Sequence, residues 1–398
     1  MIIGIDASRA NKADKTGTEW YAFFVINELK KLCTSDHNFI LYSAEPLTGE
    51  LSKLPKNFSN RVLKWKAGFF WTQIRLSIEM VIRPPDVLFV PAHTIPIYCP
   101  KKTYTTLHDA GFESFPELYG NKYIGPKNSA MKYIFNIFIR LITLGKFGNS
   151  ELDYHRWSAR LAIKKAFKIF TVSNFSKNEI QKFYKIKAEK ISVIYNGYNT
   201  IYTQQKNPEE VQNVLLKHNI STPYVFFIGR LEIKKNIFRL VESFLNLKNE
   251  SKFDNLKLVL SGKPGFGYEQ TSRLIASSSH KSDIITTGWL NENELSLIMS
   301  SCSCFLFPSL YEGFGIPIIE AMASRVPVIT SSIGSMAEIS NQAAILVNPL
   351  NTEEITEAIK LIMSNAEKRK KLIKNGLELI KKYSWKLTAS QILKEITI

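Results

Sequence analysis

Two glutamates separated by seven residues mark the segment of the sequence that is best suited to chemistry. Glu312 and Glu320 enclose the run Gly-Phe-Gly-Ile-Pro-Ile-Ile, which follows a short apolar run at residues 305–307. Glycine lets a backbone approach a ligand closely, and proline suits the first turn of a helix. A helix that begins here would aim bare amide groups at an anion. We therefore expect Glu320 to accept hydrogen bonds from a ribose diol and Glu312 to reach a sugar hydroxyl.

A second polar segment carries two cations and follows the apolar run at residues 224–228. It reads Gly-Arg-Leu-Glu-Ile-Lys-Lys-Asn and contains Arg230 and Lys235. A guanidinium can grip two oxygens at once, whereas an ammonium acts as a mobile point charge, and a pyrophosphate leaving group needs both. Taken alone, the segment is equally compatible with a solvated basic turn, because so short a pattern recurs by chance.

Short apolar runs separated by helical patterns predict the elements that position these residues. The first series lies at residues 2–5, 39–42, 87–90, 103–107, 168–172 and 191–194, and the second at 224–228, 256–260, 284–287, 305–307, 326–329 and 344–347. This alternation is typical of an α/β fold with parallel sheets covered by helices on both faces. A polar stretch at residues 199–221 separates the series, which predicts two doubly wound domains. Ligands bind beyond the carboxyl ends of such strands, where both polar segments fall.

The charge and the cysteine content narrow the choice of partners and compartment. Lys and Arg number 52 against 35 Asp and Glu, so the net charge is +17, and phosphate-bearing partners are expected. A basic nucleic-acid-binding protein is one alternative, but no aromatic stacking motif or zinc module accompanies the charge. Four scattered cysteines indicate a reducing compartment. With no leader pattern and no apolar run of ~20 residues, the sequence predicts a cytoplasmic protein, with peripheral attachment to the inner face of the membrane as an option.

The two polar segments together resemble retaining glycosyltransferases of the GT-B fold, in the large group called family 4. The resemblance covers nearly the whole chain and includes the motifs His108-Asp109, Phe115-Pro-Glu117, Ser173-Asn-Phe-Ser176, Tyr195-Asn-Gly197, Thr287-Gly-Trp289-Leu290 and Tyr383-Ser-Trp385. The segments Trp71-Thr-Gln and Val90-Pro-Ala-His-Thr look like mannosyltransferases of bacterial surface-polysaccharide assembly. The family implies two Rossmann-like domains that face a central cleft. Residues 1–200 would bind the acceptor, residues 201–380 the nucleotide sugar, and a helix at 381–398 would pack back on the first domain.

The resemblance also implies roles for individual residues. Arg230 and Lys235 would hold the donor diphosphate, and Glu320 would bind the ribose. The transferred sugar would be held by Glu312 with the backbone of Gly313, Phe314, Gly315 and Ile316. His108 would face that sugar from across the cleft, and it joins Glu312, Lys235 and Arg230 as a predicted catalytic residue. The backbone near Gly262 and Leu290 would line the base.

Two positions depart from the family pattern. The loop after the first strand is usually rich in glycine, yet residues 7–18 hold Gly17 alone, which the resemblance places at the donor site. The helix that carries Glu320 usually ends at a glycine, whereas this chain has Ser324-Arg325. Arg325 must therefore be accommodated where a helix normally ends on glycine.

The predicted function is transfer of a hexosyl group with retention of its anomeric configuration, which is the family's implication. GDP-mannose is the favoured donor, UDP- or dTDP-linked hexoses come second, and the acceptor would be a glycan or lipid-linked glycan. No cofactor or metal is expected, because Arg230, Lys235 and a helix terminus supply positive potential and no Asp-x-Asp pair is present. A nucleotide-sugar epimerase of the same fold is the alternative within enzymes, and it would need no acceptor.

Residues 118–150 lack acidic side chains and combine lysines with aromatic residues. If the segment is helical, Lys132 and Arg140 fall on a narrow polar stripe, and Phe135 and Phe138 fall on a wide apolar face. Such a helix can pack inside the protein or lie in the headgroup region of an anionic membrane. The segment is longer than the matching stretch of family members, which favours the membrane interpretation.

Overall fold

The protein is described by a computed structural model that covers residues 1–32, 36–65, 70–120, 122–123, 133, 136–137, 139–140, 147–148 and 150–398. The chain divides into two compact units. The first comprises Met1–Gly197 with Trp385–Ile398, and the second comprises Tyr198–Ser384. Among the described helices, none has the length and apolar character needed to cross a bilayer.

The first unit is built on a seven-stranded sheet in the order β3-β2-β1-β4-β5-β6-β7, and every neighbouring pair is parallel. Its strands are β1 Ile2–Asp6, β2 Asn38–Ser43, β3 Phe58–Val62, β4 Val87–Val90, β5 Thr103–Thr106, β6 Lys168–Thr171 and β7 Ile191–Val193. Its first helices are α1 Gly17–Leu32, α2 Ser77–Ile82, α3 Gly111–Ser114, α4 Glu151–Lys165 and α5 Asn174–Tyr184. Strands β4 and β5 are buried along their whole length, as expected for a sheet covered on both faces.

The second unit is built on a six-stranded parallel sheet in the order β10-β9-β8-β11-β12-β13. Its strands are β8 Tyr224–Ile228, β9 Lys257–Ser261, β10 Ile284–Gly288, β11 Cys304–Phe307, β12 Val328–Ser331 and β13 Ala344–Val347. Its helices are α6 Pro208–Lys217, α7 Ile237–Leu247, α8 Tyr268–Ser277, α9 Glu292–Ser301, α10 Ile316–Ala323, α11 Gly334–Ser340, α12 Thr352–Ser364 and α13 Ala366–Leu379. The two doubly wound sheets confirm the predicted α/β fold class.

The last helix, α14 (Trp385–Ile396), belongs to the first unit. Trp385 stacks on Phe24 of α1, with ring centroids 5.2 Å apart, and the Thr388 hydroxyl donates to the Tyr195 carbonyl at 2.7 Å. The chain therefore returns to its first sheet after completing the second unit.

The order of strands reverses once in each sheet, and each reversal opens a crevice at the carboxyl edge. In the first unit the reversal lies between β1 and β4, and in the second between β8 and β11. At such a switch point the connections that follow the two strands run to opposite faces of the sheet. The loops after these strands therefore flank the crevice in which ligands of this fold bind.

Helix α10 ends on a left-handed arginine in place of the usual glycine. The Arg325 N–H donates to the Met322 carbonyl at 3.1 Å, and the Val326 N–H donates to the Ala321 carbonyl at 3.0 Å. This is the Schellman arrangement, and Arg325 occupies its left-handed position with φ 61°. The chain thus keeps the family's helix ending at the cost of backbone strain.

Most of the predicted membrane segment lies outside the described residues. Lys132, Phe135 and Phe138 are among the positions that are not described. Of the remaining positions, Arg140 is exposed, Tyr133 is 71% exposed and Ile137 is 43% exposed.

Candidate functional site

An ion pair joins the two loops that flank the crevice of the second sheet. Lys235 follows β8 and Glu312 follows β11, and the Lys235 Nζ lies 2.5 Å from the Glu312 Oε1. Their side chains are 15% and 12% exposed, so the pair is largely shielded from water. The structure therefore brings together two residues that the sequence analysis assigned to the same donor.

The ammonium group of Lys235 is also held by an aromatic ring. Its Nζ lies 5.0 Å from the centroid of Phe307, the last residue of β11, which is within the range of a cation–π contact. On its other side, a carbon of the Lys235 stem would lie 3.6 Å from a Cβ built on Gly229. Lys235 is thus fixed at the carboxyl edge of the sheet, where it can meet a phosphate.

The loop after β8 is bound to the loop after β9 through close backbone contacts. The Leu231 N–H donates to the Lys263 carbonyl at 3.0 Å, and the Gly265 N–H donates to the Leu231 carbonyl at 2.7 Å. A Cβ on Gly262, whose φ is 147°, would lie 1.9 Å from the Gly229 carbonyl oxygen. Only glycine fits there, so the predicted donor residue Gly262 first serves to let these loops meet.

Arg230 extends from this pair of loops toward solvent. Its side chain is 57% exposed, and its Nε lies 3.8 Å from Glu232 Oε2. The base of the side chain packs against Gly265, where a Cβ would lie 2.9 Å from the Arg230 Cγ. The base of the Arg230 side chain is therefore packed between the two loops, whereas its guanidinium is largely exposed and can bind a diphosphate.

The segment after β11 leads directly into helix α10. Gly315 has φ 99° and immediately precedes Ile316, the first residue of α10. Within the described part of the chain, no side chain caps this helix, and Pro317 lies in its first turn. The Ser335 hydroxyl donates to the carbonyls of Glu312 at 2.7 Å and Phe314 at 3.3 Å, which fixes the loop. The predicted start of a helix after β11 is thus present, and its binding of an anion remains a prediction.

Glu320 lies farther along α10 and is half-buried. Burial, together with the nearby Glu292 carboxylate, raises the pKa of Glu320 well above its usual range. Sequence reasoning found Glu320 from its spacing but missed Glu292, which lies on α9.

The loop after β10 presents an exposed aromatic ring beside the predicted base-lining position. Leu290 is buried, whereas Trp289 is 53% exposed and the Lys263 Nζ lies 5.9 Å from its ring centroid. An exposed ring with one free face can stack on a nucleobase. Trp289 was quoted only as part of a motif, and its exposure gives it a candidate role.

Asn236 is a further residue whose importance the sequence did not reveal. Its side-chain amide donates to the carbonyls of Pro308 at 3.0 Å and Pro349 at 2.6 Å. It therefore ties the loop after β8 to the loops after β11 and β13. Its φ of 60° also turns the chain into α7, which suits asparagine.

His108 follows β5 in the first unit and has one ring nitrogen ready to accept a hydrogen bond. Its Nε2 is buried and has no hydrogen-bond partner among the described residues. Burial lowers the pKa of His108 to about 4, and the ring is therefore neutral near pH 7. A neutral imidazole that carries its proton on Nδ1 can accept, at Nε2, a hydrogen bond from a substrate hydroxyl.

The neighbours of His108 give it a fixed orientation. Tyr21 packs edge-on against the ring at 4.7 Å, and Asp109 caps the next turn by accepting the Gly111 N–H at 2.9 Å. Gly17 begins α1, and none of the described heavy atoms would lie within 4 Å of a Cβ built on it. Its predicted donor contact remains a prediction.

Two more histidines lie at the switch point of the first sheet, and the sequence analysis did not select them. His93 follows β4, and its Nε2 lies 2.8 Å from Nδ1 of His155 on α4. Arg9, after β1, approaches the Thr94 hydroxyl at 3.5 Å. Burial lowers the pKa of His155 to about 4. His93 stood in a quoted motif, but no pattern marked His155.

Among the described residues, no group of three or more His, Cys, Asp or Glu side chains could hold a metal ion. That the reaction needs no metal remains a prediction.

Both units of the chain match known protein families. The glycosyltransferase family 4 profile matches residues 17–202, and the profile described as glycosyl transferases group 1 matches residues 205–379. The chain belongs to glycosyltransferase family 4. Each unit thus corresponds to one half of a known glycosyltransferase.

Similar proteins of known function act in surface-polysaccharide assembly. This glycosyltransferase is 28% identical over 294 residues to the O-antigen chain mannosyltransferase B of Escherichia coli, an alignment that spans 74% of this chain and 69% of that one. It is 27% identical over 321 residues to the O-antigen chain mannosyltransferase RfbU of Salmonella typhimurium, covering 81% and 76% of the two chains.

Solved structures identify the fold of this glycosyltransferase as GT-B. WaaG, a glycosyltransferase involved in lipopolysaccharide biosynthesis, superposes with a TM-score of 0.72 at 15% identity over the full length of both chains. HepE of Anabaena, solved in complex with UDP-glucose, superposes with a TM-score of 0.70 at 15% identity over 100% of this chain and 99% of that one.

Proposed function

We propose that this enzyme transfers a mannosyl group from GDP-mannose to a glycan or lipid-linked glycan during the assembly of a surface polysaccharide. The ion pair of Lys235 and Glu312 at the switch point supports the proposal, because ligands of such sheets bind at this edge and a cation beside a carboxylate suits a sugar diphosphate. Mannose is favoured because the curated relatives are named mannosyltransferases of O-antigen chains. UDP- and dTDP-linked hexoses are the second choice, and HepE shows that this fold accommodates UDP-glucose.

The chemistry proposed is substitution at the anomeric carbon with retention. The bond from C1 to the diphosphate oxygen breaks, the acceptor hydroxyl oxygen bonds to C1 from the same face, and its proton passes to the departing diphosphate. Lys235, Arg230 and the start of α10 stabilise the negative charge that grows on that diphosphate. When the phosphate binds Lys235, Glu312 separates from that lysine. Its carboxylate then accepts a hydrogen bond from a hydroxyl of the sugar.

The proposed reaction uses protein-borne charge in place of a divalent cation. Arg230 can reach the diphosphate from its exposed position, and Lys235 is already held at the sheet edge. In the first unit, the His108 Nε2 offers an acceptor for a substrate hydroxyl. These groups orient the reactants and contribute no covalent chemistry of their own.

A lipid-linked acceptor would place the enzyme at the membrane surface, and the segment 118–150 is the proposed contact. The exposure of Tyr133, Ile137 and Arg140 supports this, because exposed apolar and basic side chains side by side suit the headgroup region. Aromatic and basic residues on one helix bind anionic headgroups through apolar burial and charge together.

The donor is tested by measuring unfolding temperature in the presence of GDP, UDP, dTDP and ADP. A ligand at 100 times its Kd stabilises the native state by about 2.7 kcal/mol, so the matching base should give the largest rise. We expect GDP to rank first and the variant Lys235→Ala to lose most of the rise. Equal shifts for all four nucleotides, or none, would contradict the proposed donor site.

A further inference from the structure

The first unit exposes an apolar groove along the outer face of one helical segment. The segment runs from Trp71 to Ile82, as a π-helix over Trp71–Leu76 that continues into α2. One wall of the groove is a row of aliphatic side chains at helical spacing, namely Ile74, Ile78, Val81 and Ile82. All four are exposed, and Val81 and Ile82 are 63% and 65% exposed. A surface helix normally turns polar residues outward, so this row indicates a binding surface.

The opposite wall of the groove is the chain that follows β4. Ile97 and Tyr98 line a space of about 320 Å³, and among the described residues that line it none is charged. The Ile97 N–H donates to the Gln73 carbonyl at 3.4 Å, and the Tyr98 N–H donates to the Ser77 hydroxyl at 3.2 Å. These hydrogen bonds tie the two walls together, and the concave surface between them suits a single apolar chain.

The inner face of the same helical segment packs in the core of the first unit. Leu76 and Met80 are buried in a cluster with Val90 and Ala162. Gln73 is also buried, and its side-chain amide donates to the Tyr154 hydroxyl of α4 at 2.7 Å. These contacts fix the rotation of the helix about its axis. The aliphatic row is therefore a second apolar face, separate from the face that the core uses.

The groove begins beside the switch point of the first sheet. Gln73 is the first residue of the segment that lines the groove, and the hydroxyl of the preceding Thr72 donates to Asp6 Oδ2 at 3.2 Å. Asp6 ends β1, and its Oδ1 accepts the N–H of Ser8 at 2.9 Å and the Ser8 hydroxyl at 2.6 Å. One carboxylate thus joins the start of the helical segment to the loop after β1. The groove therefore opens next to the crevice in which ligands of this fold bind.

The loop after β1 supplies positive charge at this end of the groove. Arg9 follows Ser8, and its guanidinium lies 3.5 Å from the Thr94 hydroxyl and 3.6 Å from Glu19. Lys12 approaches the same carboxylate at 3.3 Å, so Glu19 faces two cations. Both side chains are partly exposed and can also meet an anion from solvent. An apolar groove that opens beside cations is complementary to an amphiphile with an anionic head.

We propose that this groove binds the hydrocarbon chain of a lipid-linked acceptor, with the phosphate at the head of the chain beside Arg9 and the glycan in the crevice of the first sheet. The inference rests on the proposed function, in which the acceptor is a glycan or lipid-linked glycan, and it narrows the acceptor to the lipid-linked class. A flat bilayer would contact the tips of the aliphatic row. The concave space between that row and residues 97–98 fits one extended chain instead.

The experiment compares two probes that share a phosphate and differ in chain length, farnesyl phosphate and isopentenyl phosphate. Their Kd values are measured by calorimetry with the full-length protein, below the concentration at which either probe forms micelles. Each methylene that becomes buried strengthens binding about fourfold. The wild type should therefore bind farnesyl phosphate at least about fiftyfold more tightly than isopentenyl phosphate.

The first variant replaces both Ile78 and Ile82 by serine, which removes much of the aliphatic wall without adding charge. The preference for the longer chain should fall below about tenfold, while the Kd of isopentenyl phosphate stays within about twofold. The matched control replaces Leu216 and Leu361 of the second unit by serine. These leucines are 63% and 40% exposed, against 65% for Ile82 and 44% for Ile78, and the control should keep the preference of the wild type. Val81→Trp fills the groove with an uncharged ring, should also lower the preference, and decides the test if the double variant does not fold.

Arg9→Gln tests the position of the head separately from that of the chain. It should weaken the binding of both probes by a similar factor, about tenfold, and leave the preference for the longer chain unchanged. Loss of that preference in Arg9→Gln, with the short probe unaffected, would contradict the placement of the phosphate.

Three results would overturn the inference while leaving the proposed function intact. The first is equal affinity of the wild type for the two probes, or an unchanged preference in the groove variants. The second is a wild-type dimer, measured by light scattering, that the double serine variant breaks, because a second copy would then occupy the groove. The third is a double serine variant that keeps the preference but no longer binds phosphatidylglycerol vesicles, because the groove would then contact the bilayer. Absence of a thermal shift with all four nucleotides would instead overturn the proposed function, whereas the measured chain preference would still stand.

Discussion

Replacing Lys235 by alanine removes the cation at the centre of the proposed diphosphate site. The lost contacts are the 2.5 Å bond to Glu312 and the approach to the Phe307 ring at 5.0 Å. In the reaction, the ammonium should strengthen its contact as the diphosphate gains charge. A hydrogen bond to a charged group contributes ~1.5 to 3 kcal/mol, which corresponds to roughly ten- to a hundredfold in kcat.

The same substitution should also lower stability, because Glu312 is left largely shielded without its partner. We expect a loss of about 1 to 3 kcal/mol in the free energy of unfolding. Glu312→Gln combined with Lys235→Ala should recover part of that stability, since no unpaired charge remains, but none of the turnover. This split separates damage to the fold from damage to the reaction.

The assay follows release of nucleoside diphosphate from the donor identified by the thermal shifts, with saturating acceptor. Lys234→Ala is the matched control, because it removes the same charge from the neighbouring position, where the amine lies 4.0 Å from Glu232. Turnover of the control should stay within about threefold of the wild type. Near wild-type turnover by Lys235→Ala, or equal losses in the two variants, would refute the assignment of Lys235.

Three further outcomes follow from the sequence and the structure. Turnover should stay within about twofold of its normal value in excess EDTA, and complete loss that magnesium or manganese restores would show that the metal-free mechanism is wrong. Binding to anionic vesicles should weaken as the salt concentration rises. It should disappear in a variant with Phe135 and Phe138 replaced by Ser and Lys132 and Arg140 replaced by Glu, although that variant should still bind donor. Equal vesicle binding by the variant and the wild type would mean that the segment packs inside the protein. Arg325→Gly should raise the free energy of unfolding, measured in urea, by about 0.5 to 1 kcal/mol, because glycine adopts φ 61° without strain. Ser324→Gly is the control, and it should lower the free energy of unfolding because Ser324 has an ordinary φ of −79°. No gain from Arg325→Gly would mean that the arginine is not strained.

Most of the sheet architecture could be predicted because buried parallel strands leave an unmistakable pattern. The apolar run at residues 305–307 became β11, and that at 224–228 became β8. The edge strand β3 escaped notice because Phe58–Val62 reads Phe-Ser-Asn-Arg-Val, and only Phe58 is buried. An edge strand that faces water on one side needs no continuous apolar run, so its presence depends on its partner β2.

The candidate site was predictable only where its residues share one segment. Glu312 and Glu320 stand on either side of a glycine-rich turn, and they were singled out by these glycines, by Pro317 and by the apolar run that precedes them. Asn199 and Glu292 come together from two separate elements by tertiary packing, and no local pattern connects them. His155 was missed for the same reason, since a histidine in the middle of a helix gives no sign of its contact with His93.

The proposed reaction is best tested by determining the linkage in the glycan product. The enzyme should be incubated with GDP-mannose and a lipid-linked glycan extracted from a bacterium that makes a mannose-containing surface polysaccharide, and the new linkage examined by NMR. Mannose should be transferred with the α configuration of the donor, and Lys235→Ala should yield far less product. A β-linked product, or an epimerised nucleotide sugar formed without any acceptor, would contradict the proposed reaction.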